Sequence, residues 1–213
     1  AGKPDEIWVF GYGSLMWDSA FRVAARRPAT LRAYRRSFCV WTAHARGTPD
    51  NPGLGLGLLP DADAACRGVA LRIAPAARQS GLEALWMREM WTGVYHPLWV
   101  SLETEAGRLP ALAFAVDTAH PQYAAGLCTA QTARRIAAAR GKFGACRDYF
   151  DNTLKALRDL GFSEGAFNVA LQRCDPGPTG TDGVEYMFAP NVGEGERPLR
   201  SIASSGEISR VML

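Results

Sequence analysis

A short glycine-rich loop is the first place in this sequence where chemistry is expected. Residues 11–15 read Gly-Tyr-Gly-Ser-Leu and end the β-branched, aromatic run that begins at residue 7, which predicts a buried strand opening into a tight loop. Gly11 and Gly13 can adopt positive φ and allow close approach, so backbone N–H groups around Tyr12 and Ser14 can point into one concavity. The loop is therefore either a carboxylate- or phosphate-binding nest or an ordinary tight turn.

The same loop lacks the features of three familiar motifs. A dinucleotide-binding loop needs a third glycine where Met16 stands, and a phosphate-binding P-loop needs Gly-Lys-Ser/Thr. A nucleophile elbow needs glycine two residues before and after the serine, but Tyr12 and Met16 occupy those positions. We therefore do not expect Ser14 to act as a nucleophile.

The elements that must position this loop alternate between strand and helix patterns. The apolar spacing predicts strands over residues 36–41, 53–59, 68–73, 95–103 and 109–116, and helices over residues 75–90, 129–139 and 146–160. Glu89 then lies near the C-terminal end of the first helix. This order favours an α+β domain or a small mixed barrel flanked by helices over a doubly wound parallel sheet.

Composition narrows the class of protein. The formal net charge is +3 over 213 residues, and the basic residues are scattered among acids, so a nucleic-acid partner is not expected. No apolar run approaches the roughly 18–20 residues needed to cross a bilayer, and no secretory signal opens the chain. The five cysteines are widely spaced, which favours free thiols in the cytoplasm over a disulfide framework or a metal site.

Several motifs, taken together, closely resemble the ChaC family of γ-glutamylcyclotransferases. The likeness begins with the strand and loop of residues 8–17 and runs in the family's order over about residues 6–162, through residues 46–48, 85–90, 93–97, 120–123 and Tyr149. The resemblance implies a γ-glutamylcyclotransferase-like small mixed β-barrel flanked by α-helices, with no metal and no cofactor. It also implies cleavage of glutathione to 5-oxoproline and Cys-Gly.

That reaction needs a base and a rigid grip, because the nucleophile is the α-amine of the substrate itself. Glu89 occupies the position of the family's catalytic glutamate. Trp86, Met87 and Trp91 are expected to desolvate its carboxylate partly and to raise its pKa. The alternative, from the residues alone, is a surface glutamate paired with Arg88.

The resemblance also implies a set of substrate-binding residues. The glutamyl group is expected to be held by the loop residues Tyr12, Gly13, Ser14 and Leu15. Tyr149 is expected to offer its hydroxyl to the glutamyl carboxylate or to a developing oxyanion, with core packing as the alternative. From its side-chain chemistry, Arg46 is a weaker candidate for the glycine carboxylate of glutathione, since a guanidinium matches carboxylate geometry, with a solvated arginine as the alternative.

The C-terminal part of the chain has a different character. We expect a catalytic domain over residues 1–174 and a linker-like, atypical tail over residues 175–213, which opens with a stretch rich in Pro and Gly. Residues 184–194 and 202–213 resemble the ABC-signature region of RecN-type DNA-repair ATPases. No P-loop or acidic Walker-B strand accompanies them, so this chain alone does not assemble an ATPase.

Two other functions stay open beside glutathione cleavage. One is a cyclotransferase acting on other γ-glutamyl amides, and the other is a non-catalytic anion-binding module of the same fold. All three take a small molecule as partner.

Overall fold

The structure is a computed structural model that describes residues 6–160, 166–177, 180–189 and 197–198. The chain divides into two compact units, Ala1–Leu160 and Gly161–Leu213. In chain order, the elements of the first unit are β1 (Trp8–Gly11), a 3-10 helix (Ser14–Met16), β2 (Val23–Thr42), β3 (Gly53–Ile73), a 3-10 helix (Pro75–Ala77), α1 (Arg78–Glu89), β4 (Tyr95–Thr104), β5 (Gly107–Val116), α2 (Thr129–Ala138), β6 (Arg140–Gly141), β7 (Gly144–Ala145) and α3 (Cys146–Asp159).

Five of these strands close into a barrel in the order β1-β3-β2-β4-β5. Its neighbours are antiparallel, except that β1 runs parallel to β5, where Val9 pairs with Leu112. Helices α2 and α3 pack against β3. The predicted α+β class, a small mixed β-barrel flanked by α-helices, is confirmed.

Strand β1 is buried on both faces, which explains its continuous apolar sequence. Trp8 and Phe10 belong to the core cluster that also contains Leu58 and Leu102, whereas Val9 belongs to a second cluster that includes Leu85 of α1. Alternate residues of a strand point to opposite faces. The strand that carries the glycine-rich loop is therefore held between two core clusters, so the loop starts from a fixed point.

Strands β2 and β3 are much longer than predicted. The two strands expected over residues 53–59 and 68–73 are one continuous strand, and β2 begins well before residue 36. The register of this pair shifts between Arg32 and Tyr34, where Ala33 has a φ of 62°. Such a bulge bends a strand without ending it, so long strands with exposed charged residues continue around the barrel.

Helix α1 begins at Arg78 and ends at Glu89. Glu89 lies at its C-terminal end, as predicted, although the helix was expected over residues 75–90. Leu85 is 1% exposed and packs with Val9, Leu71 and Phe114. Residues four apart lie on the same helix face, so the packing of Leu85 also turns Glu89 toward the barrel.

The second unit contains a three-stranded antiparallel sheet among its described residues. Its strands are β8 (Ala166–Gly177), β9 (Gly180–Ala189) and β10 (Arg197–Pro198), in the order β10-β9-β8. Of the stretch expected to be linker-like, residues 175–177 end β8 and residues 180–183 begin β9.

Two predictions about the C-terminal part are not decided by these strands. Of the two segments that resemble RecN-type ATPases, residues 184–189 fall in β9, whereas residues 202–213 lie outside the described residues. The boundary at residue 174 stays a prediction. Within the described part of the chain, no helix has the length and apolar character needed to span a bilayer.

Candidate active site

A cavity of about 40 Å³ brings six of the seven predicted site residues together. The predicted residues that line it are Tyr12, Gly13, Ser14, Leu15, Glu89 and Tyr149. Three further lining residues, Leu56, Tyr95 and Phe114, were not predicted. Arg46 is not among the lining residues.

The glycine-rich loop is fixed at Tyr12 from two directions. The Tyr12 hydroxyl donates a hydrogen bond of 2.7 Å to the carbonyl oxygen of Phe114 on β5. The Tyr12 carbonyl accepts a bond of 2.5 Å from Nε of Arg36 on β2. The chain then turns into the short 3-10 helix, where the N–H of Met16 bonds to the Gly13 carbonyl at 2.9 Å.

The reason for glycine at position 13 differs from the expected one. Gly13 has a φ of −130°, and the positive φ angles of glycines in the described residues occur elsewhere. A Cβ at Gly13 would lie 2.9 Å from the Tyr149 hydroxyl oxygen and 3.7 Å from Leu56. The prediction of positive φ is therefore wrong, and glycine is needed because Tyr149 packs directly against the loop.

Glu89 is a largely buried carboxyl at the end of α1. Its side chain is 15% exposed, and Nε of Arg88 lies 3.5 Å from its Oε1. Burial raises the pKa of Glu89 above its usual value, and the positive charge of Arg88 opposes that rise. The simple surface ion pair considered as an alternative does not describe this environment.

The groups expected to desolvate Glu89 are not the ones that enclose the cavity. Trp86, Met87 and Trp91 are 50%, 71% and 76% exposed. Glu89 is instead electrostatically coupled to the cavity residues Tyr12, Tyr95 and Tyr149. The three apolar side chains are mainly exposed: Trp86 and Met87 lie on α1 but not at the buried position of Leu85, and Trp91 lies beyond the end of the helix.

The three tyrosines of the cavity are all buried phenols. Burial is the main cause of the shift in each case. It raises the pKa values of Tyr12 and Tyr95 well above the usual value for tyrosine, and it raises the pKa of Tyr149 to about 12. The negative charge of Glu89 contributes in the same direction. All three hydroxyls are therefore protonated near neutral pH; those of Tyr12 and Tyr95 donate to the carbonyls of Phe114 and Leu56.

The ring of Tyr149 packs against two aromatic rings and one guanidinium group. Trp17 and Phe38 meet the ring edge-to-face, with centroids 5.5 Å and 6.0 Å away. The guanidinium carbon of Arg46 lies 5.5 Å from the ring centroid. These contacts leave the ring little freedom.

Arg46 is occupied away from the cavity. Its Nη1 donates to the carbonyl oxygens of Phe143 and Ala145, in the hairpin of β6 and β7 just before α3. Gly144 in that hairpin has a φ of 101°, which is typical of glycine. The structure thus places Arg46 where it can orient Tyr149 and α3, and not beside the loop of residues 12–15.

Two arginines that were not predicted as site residues contact the site. The guanidinium of Arg88 reaches both Glu89 and the Ser14 hydroxyl. Arg36 is 6% exposed; it bonds to the carbonyls of Tyr12 and Arg67, and its Nη1 has no hydrogen-bond partner in the described part of the chain. In the sequence, Arg36 is the first residue of a predicted strand and Arg88 is next to the candidate base Glu89. These positions were the signals from which the two contacts could have been predicted.

The arrangement combines one weakly acidic carboxyl with several fixed hydrogen-bond donors. Among residues 6–160 and the other described segments, no group of three or more His, Cys, Asp or Glu is placed to hold a metal ion. A carboxyl whose pKa lies closer to neutrality is a better general base or acid than an ordinary one. The site is suited to moving a proton on a ligand held beside the loop.

The fold and the sequence now place this chain among known proteins. The barrel has the fold of the γ-glutamylcyclotransferases: a crystal structure of a selenomethionine-labelled yeast γ-glutamyl cyclotransferase specific to glutathione matches with a TM-score of 0.67 at 22% identity, covering 72% of this chain and 87% of that one. A family model described as ChaC-like protein matches residues 7–172. The chain belongs to the ChaC-like protein family, which confirms the resemblance read from its motifs.

Curated relatives agree with this assignment. An Escherichia coli K12 protein named glutathione-specific γ-glutamylcyclotransferase is 36% identical over 174 residues, which is 80% of this chain and 74% of the relative. A mouse protein named glutathione-specific γ-glutamylcyclotransferase 1 is 31% identical over 151 residues, or 70% and 68% of the two chains. An Arabidopsis thaliana protein named γ-glutamylcyclotransferase 2-3 is 32% identical over 165 residues, or 74% and 83%.

Proposed function

We propose that this protein is a glutathione-specific γ-glutamylcyclotransferase that releases 5-oxoproline and Cys-Gly. The observation that carries the proposal is the buried Glu89 carboxyl facing the glycine-rich loop across one small cavity. The names of the E. coli and mouse relatives supply the substrate.

The reaction is an intramolecular transfer that consumes no water. The glutamyl α-amine attacks the γ-carbonyl carbon, a C–N bond closes the five-membered lactam, and the amide bond to cysteine breaks. Glu89 takes the proton that the attacking amine loses and returns one to the departing amine of Cys-Gly. Because the nucleophile belongs to the substrate, the protein needs no covalent intermediate.

The remaining cavity residues hold the substrate in an attacking geometry. In this proposal the loop of Tyr12, Gly13, Ser14 and Leu15 binds the glutamyl group, and the Tyr149 hydroxyl donates to the oxygen that gains charge at the γ-carbonyl. Bringing amine and carbonyl together in this way can lower the barrier by up to roughly 7–11 kcal/mol. Arg46 acts indirectly, through the ring of Tyr149.

The decisive experiment incubates the purified protein with glutathione and measures 5-oxoproline by mass spectrometry. Glu89→Gln keeps the shape of the side chain but removes the base, so we expect turnover to fall at least about a hundredfold. Glu83→Gln is the matched control, because Glu83 lies on the same helix but is exposed and bonds to Gln79. Near wild-type turnover in Glu89→Gln would contradict the assignment of the base.

The pH dependence gives a second measurement of the same residue. The base must be deprotonated to act, and burial raises the pKa of Glu89. The rate should therefore rise with pH through a value above the ordinary glutamate range, and fall below it as the carboxylate becomes protonated. A kcat/KM profile whose acid limb lies in the ordinary range of exposed glutamates would argue against a buried base.

A broader substrate range is favoured by one observation. The residues that line the cavity of about 40 Å³ are assigned to the glutamyl group and its γ-amide, and none of them is assigned to the group beyond that amide. A cyclotransferase for other γ-glutamyl amides would use the same residues. Paired assays with glutathione and a γ-glutamyl dipeptide separate the two specificities, and ligand binding without lactam formation would instead indicate an anion-binding module.

The proposal also includes the setting of the enzyme. The widely spaced cysteines favour a reducing, cytoplasmic location, and a small molecule is the expected partner in place of nucleic acid. The RecN-like segment adds no activity to this proposal. Absence of ATP binding by the full chain would agree with that view.

A further inference from the structure

Arg88 connects three parts of the site with a single guanidinium. Nη2 donates to the Ser14 hydroxyl at 2.8 Å, Nη1 donates to the Asp18 carbonyl at 2.7 Å, and Nε lies 3.5 Å from Glu89. The side chain of Arg88 is 27% exposed. One cation therefore ties the end of α1, which carries the base, to the loop that follows β1.

The bond from Arg88 determines what the Ser14 hydroxyl can do. A hydroxyl has one hydrogen to donate, and its oxygen here already accepts a hydrogen bond from a cation. The positive charge turns that hydrogen away from Arg88. Because Ser14 lines the cavity, the hydrogen can be donated to a ligand oxygen there, and the bond from a cation to one of the two lone pairs lowers the nucleophilicity of the oxygen.

We propose that Arg88 is a positioning residue that fixes Ser14 as a hydrogen-bond donor to the substrate and holds the base Glu89 in register with the substrate loop. The inference rests on the proposed cyclotransferase function and adds two residue roles to it. Ser14 donates to an oxygen of the glutamyl group, and Arg88 orients Ser14 without touching the substrate.

The positive charge of Arg88 also opposes the rise in the pKa of Glu89 that burial causes. The carboxyl faces three buried phenols, Tyr12 from the loop, Tyr95 from β4 and Tyr149 from α3, and burial itself raises its pKa. Arg88 lowers that pKa. Removing the cation should therefore raise the pKa of Glu89 further and move the acid limb of kcat/KM to higher pH.

The first test compares Arg88→Gln with Arg88→Lys. Arg88→Gln should lower kcat/KM about ten- to a hundredfold, the scale of one charge-assisted hydrogen bond, and shift the acid limb upward. Arg88→Lys keeps the charge but not the fork, so it should leave the acid limb near its wild-type position while still losing rate. Arg147→Gln is the control, because it removes an exposed ion pair with Asp151 on α3.

The second test is a double-mutant cycle between Arg88 and Ser14. If Arg88 acts through the hydroxyl, Arg88→Gln should cost clearly less in a Ser14→Ala background than in the wild type. Thermal melts accompany all variants, and Arg88→Lys carries the cycle if Arg88→Gln folds poorly.

Additive effects of the two substitutions, an unmoved acid limb or wild-type kcat/KM in Arg88→Gln would each overturn the inference. Glu89→Gln separates this failure from failure of the function. If Glu89→Gln is inactive while Arg88→Gln is unaffected, only the role of Arg88 is lost. If the wild-type protein forms no 5-oxoproline, the function fails and the inference falls with it.

Discussion

The tyrosine hydroxyls on the two sides of the cavity differ in their hydrogen bonding. On the barrel side, the hydroxyls of Tyr12 and Tyr95 donate to backbone carbonyls, to Phe114 at 2.7 Å and to Leu56 at 2.8 Å. Their hydrogens are thus committed to the protein. These two phenols hold strands and loop together, and they present little to a ligand.

On the helix side, the hydroxyl of Tyr149 has a different environment. Among the described residues it donates no hydrogen bond to a protein group of the kind that Tyr12 and Tyr95 make, so its hydrogen is free for a ligand. Burial raises the pKa of Tyr149, and the backbone groups of Leu56 and Ser14 partly offset that rise. The nearby charge of Arg36 acts in the same direction.

The difference separates structural from functional tyrosines inside one cavity. A hydroxyl whose hydrogen is not taken by a protein carbonyl is ready to donate to an oxygen that gains negative charge, whereas a hydroxyl that donates to a carbonyl is not. We therefore expect Tyr149 to affect the rate and Tyr12 and Tyr95 to affect mainly stability.

Among the substitutions that test this comparison, Tyr149→Phe should have the largest effect on the rate. The ring contacts with Trp17 and Phe38 would remain, but the donor would be lost, so kcat should fall on the order of a hundredfold with little change in KM. Steady-state kinetics with glutathione and a thermal melt measure both quantities. An unchanged kcat would show that Tyr149 is a packing residue like the other two.

A side chain at Gly13 should have the next largest effect. The Cβ of Gly13→Ala would lie 2.9 Å from the Tyr149 hydroxyl oxygen, so either the loop or the tyrosine must move. We expect kcat/KM to fall about tenfold or more, with a loss in kcat as well as an increase in KM. The same substitution should cost less in Tyr149→Phe, where the oxygen is absent; equal costs in both backgrounds would contradict a contact through the hydroxyl.

Replacement of Tyr12 or Tyr95 by Phe should change the rate only a few-fold. Each variant would deprive a buried carbonyl of its donor, at a cost of about 1–3 kcal/mol in the free energy of unfolding. Chemical denaturation measures that loss, and kinetics under native conditions measure the rate. A large loss of kcat in a stable Tyr95→Phe variant would remove the distinction between the two sides.

The sequence predicted the fold well where its patterns are local. The helix that carries Glu89 near its end, the hairpin of β4 and β5 and the late helix carrying Tyr149 all follow from spacing that neighbouring residues enforce. The lengths of β2 and β3 did not follow, because a barrel lets a strand bend at a bulge such as Ala33 and continue with one exposed face. Ordinary strand patterns do not show such continuity.

The site was predicted as a set of residues, but its contacts were not. The loop and Glu89 are recognisable from motifs, whereas Tyr95 reaches the cavity, and Arg36 the Tyr12 carbonyl, only because the barrel closes. The reason for Gly13 was also misread, since the Tyr149 hydroxyl that requires a glycine there comes from more than a hundred residues further along the chain. Contacts of this range depend on tertiary structure and leave no local signal.

The smallest effect is expected from shortening the chain. Every residue that lines the cavity lies within residues 12–149, and α3, which carries Tyr149, ends at Asp159. Leu160 packs in the same cluster as Val9 and Leu85, so a chain ending at residue 160 keeps that contact. Truncation there should leave kcat and KM for glutathione within a few-fold of the full-length values.

Where the chain is cut should matter more for solubility than for rate. A chain ending at residue 175 would retain most of β8 but lose β9, which pairs with it from Ala166 to Gly177. An unpaired strand edge promotes association between molecules, so this variant should aggregate more readily than the one ending at residue 160. Size-exclusion chromatography and kinetics on both variants decide the matter. The result that would contradict this view is a folded chain ending at residue 160 that loses kcat as Tyr149→Phe does. In that case the environment of Tyr149 would depend on residues after 160, and the barrel and α3 would not be sufficient for the contrast between the tyrosines.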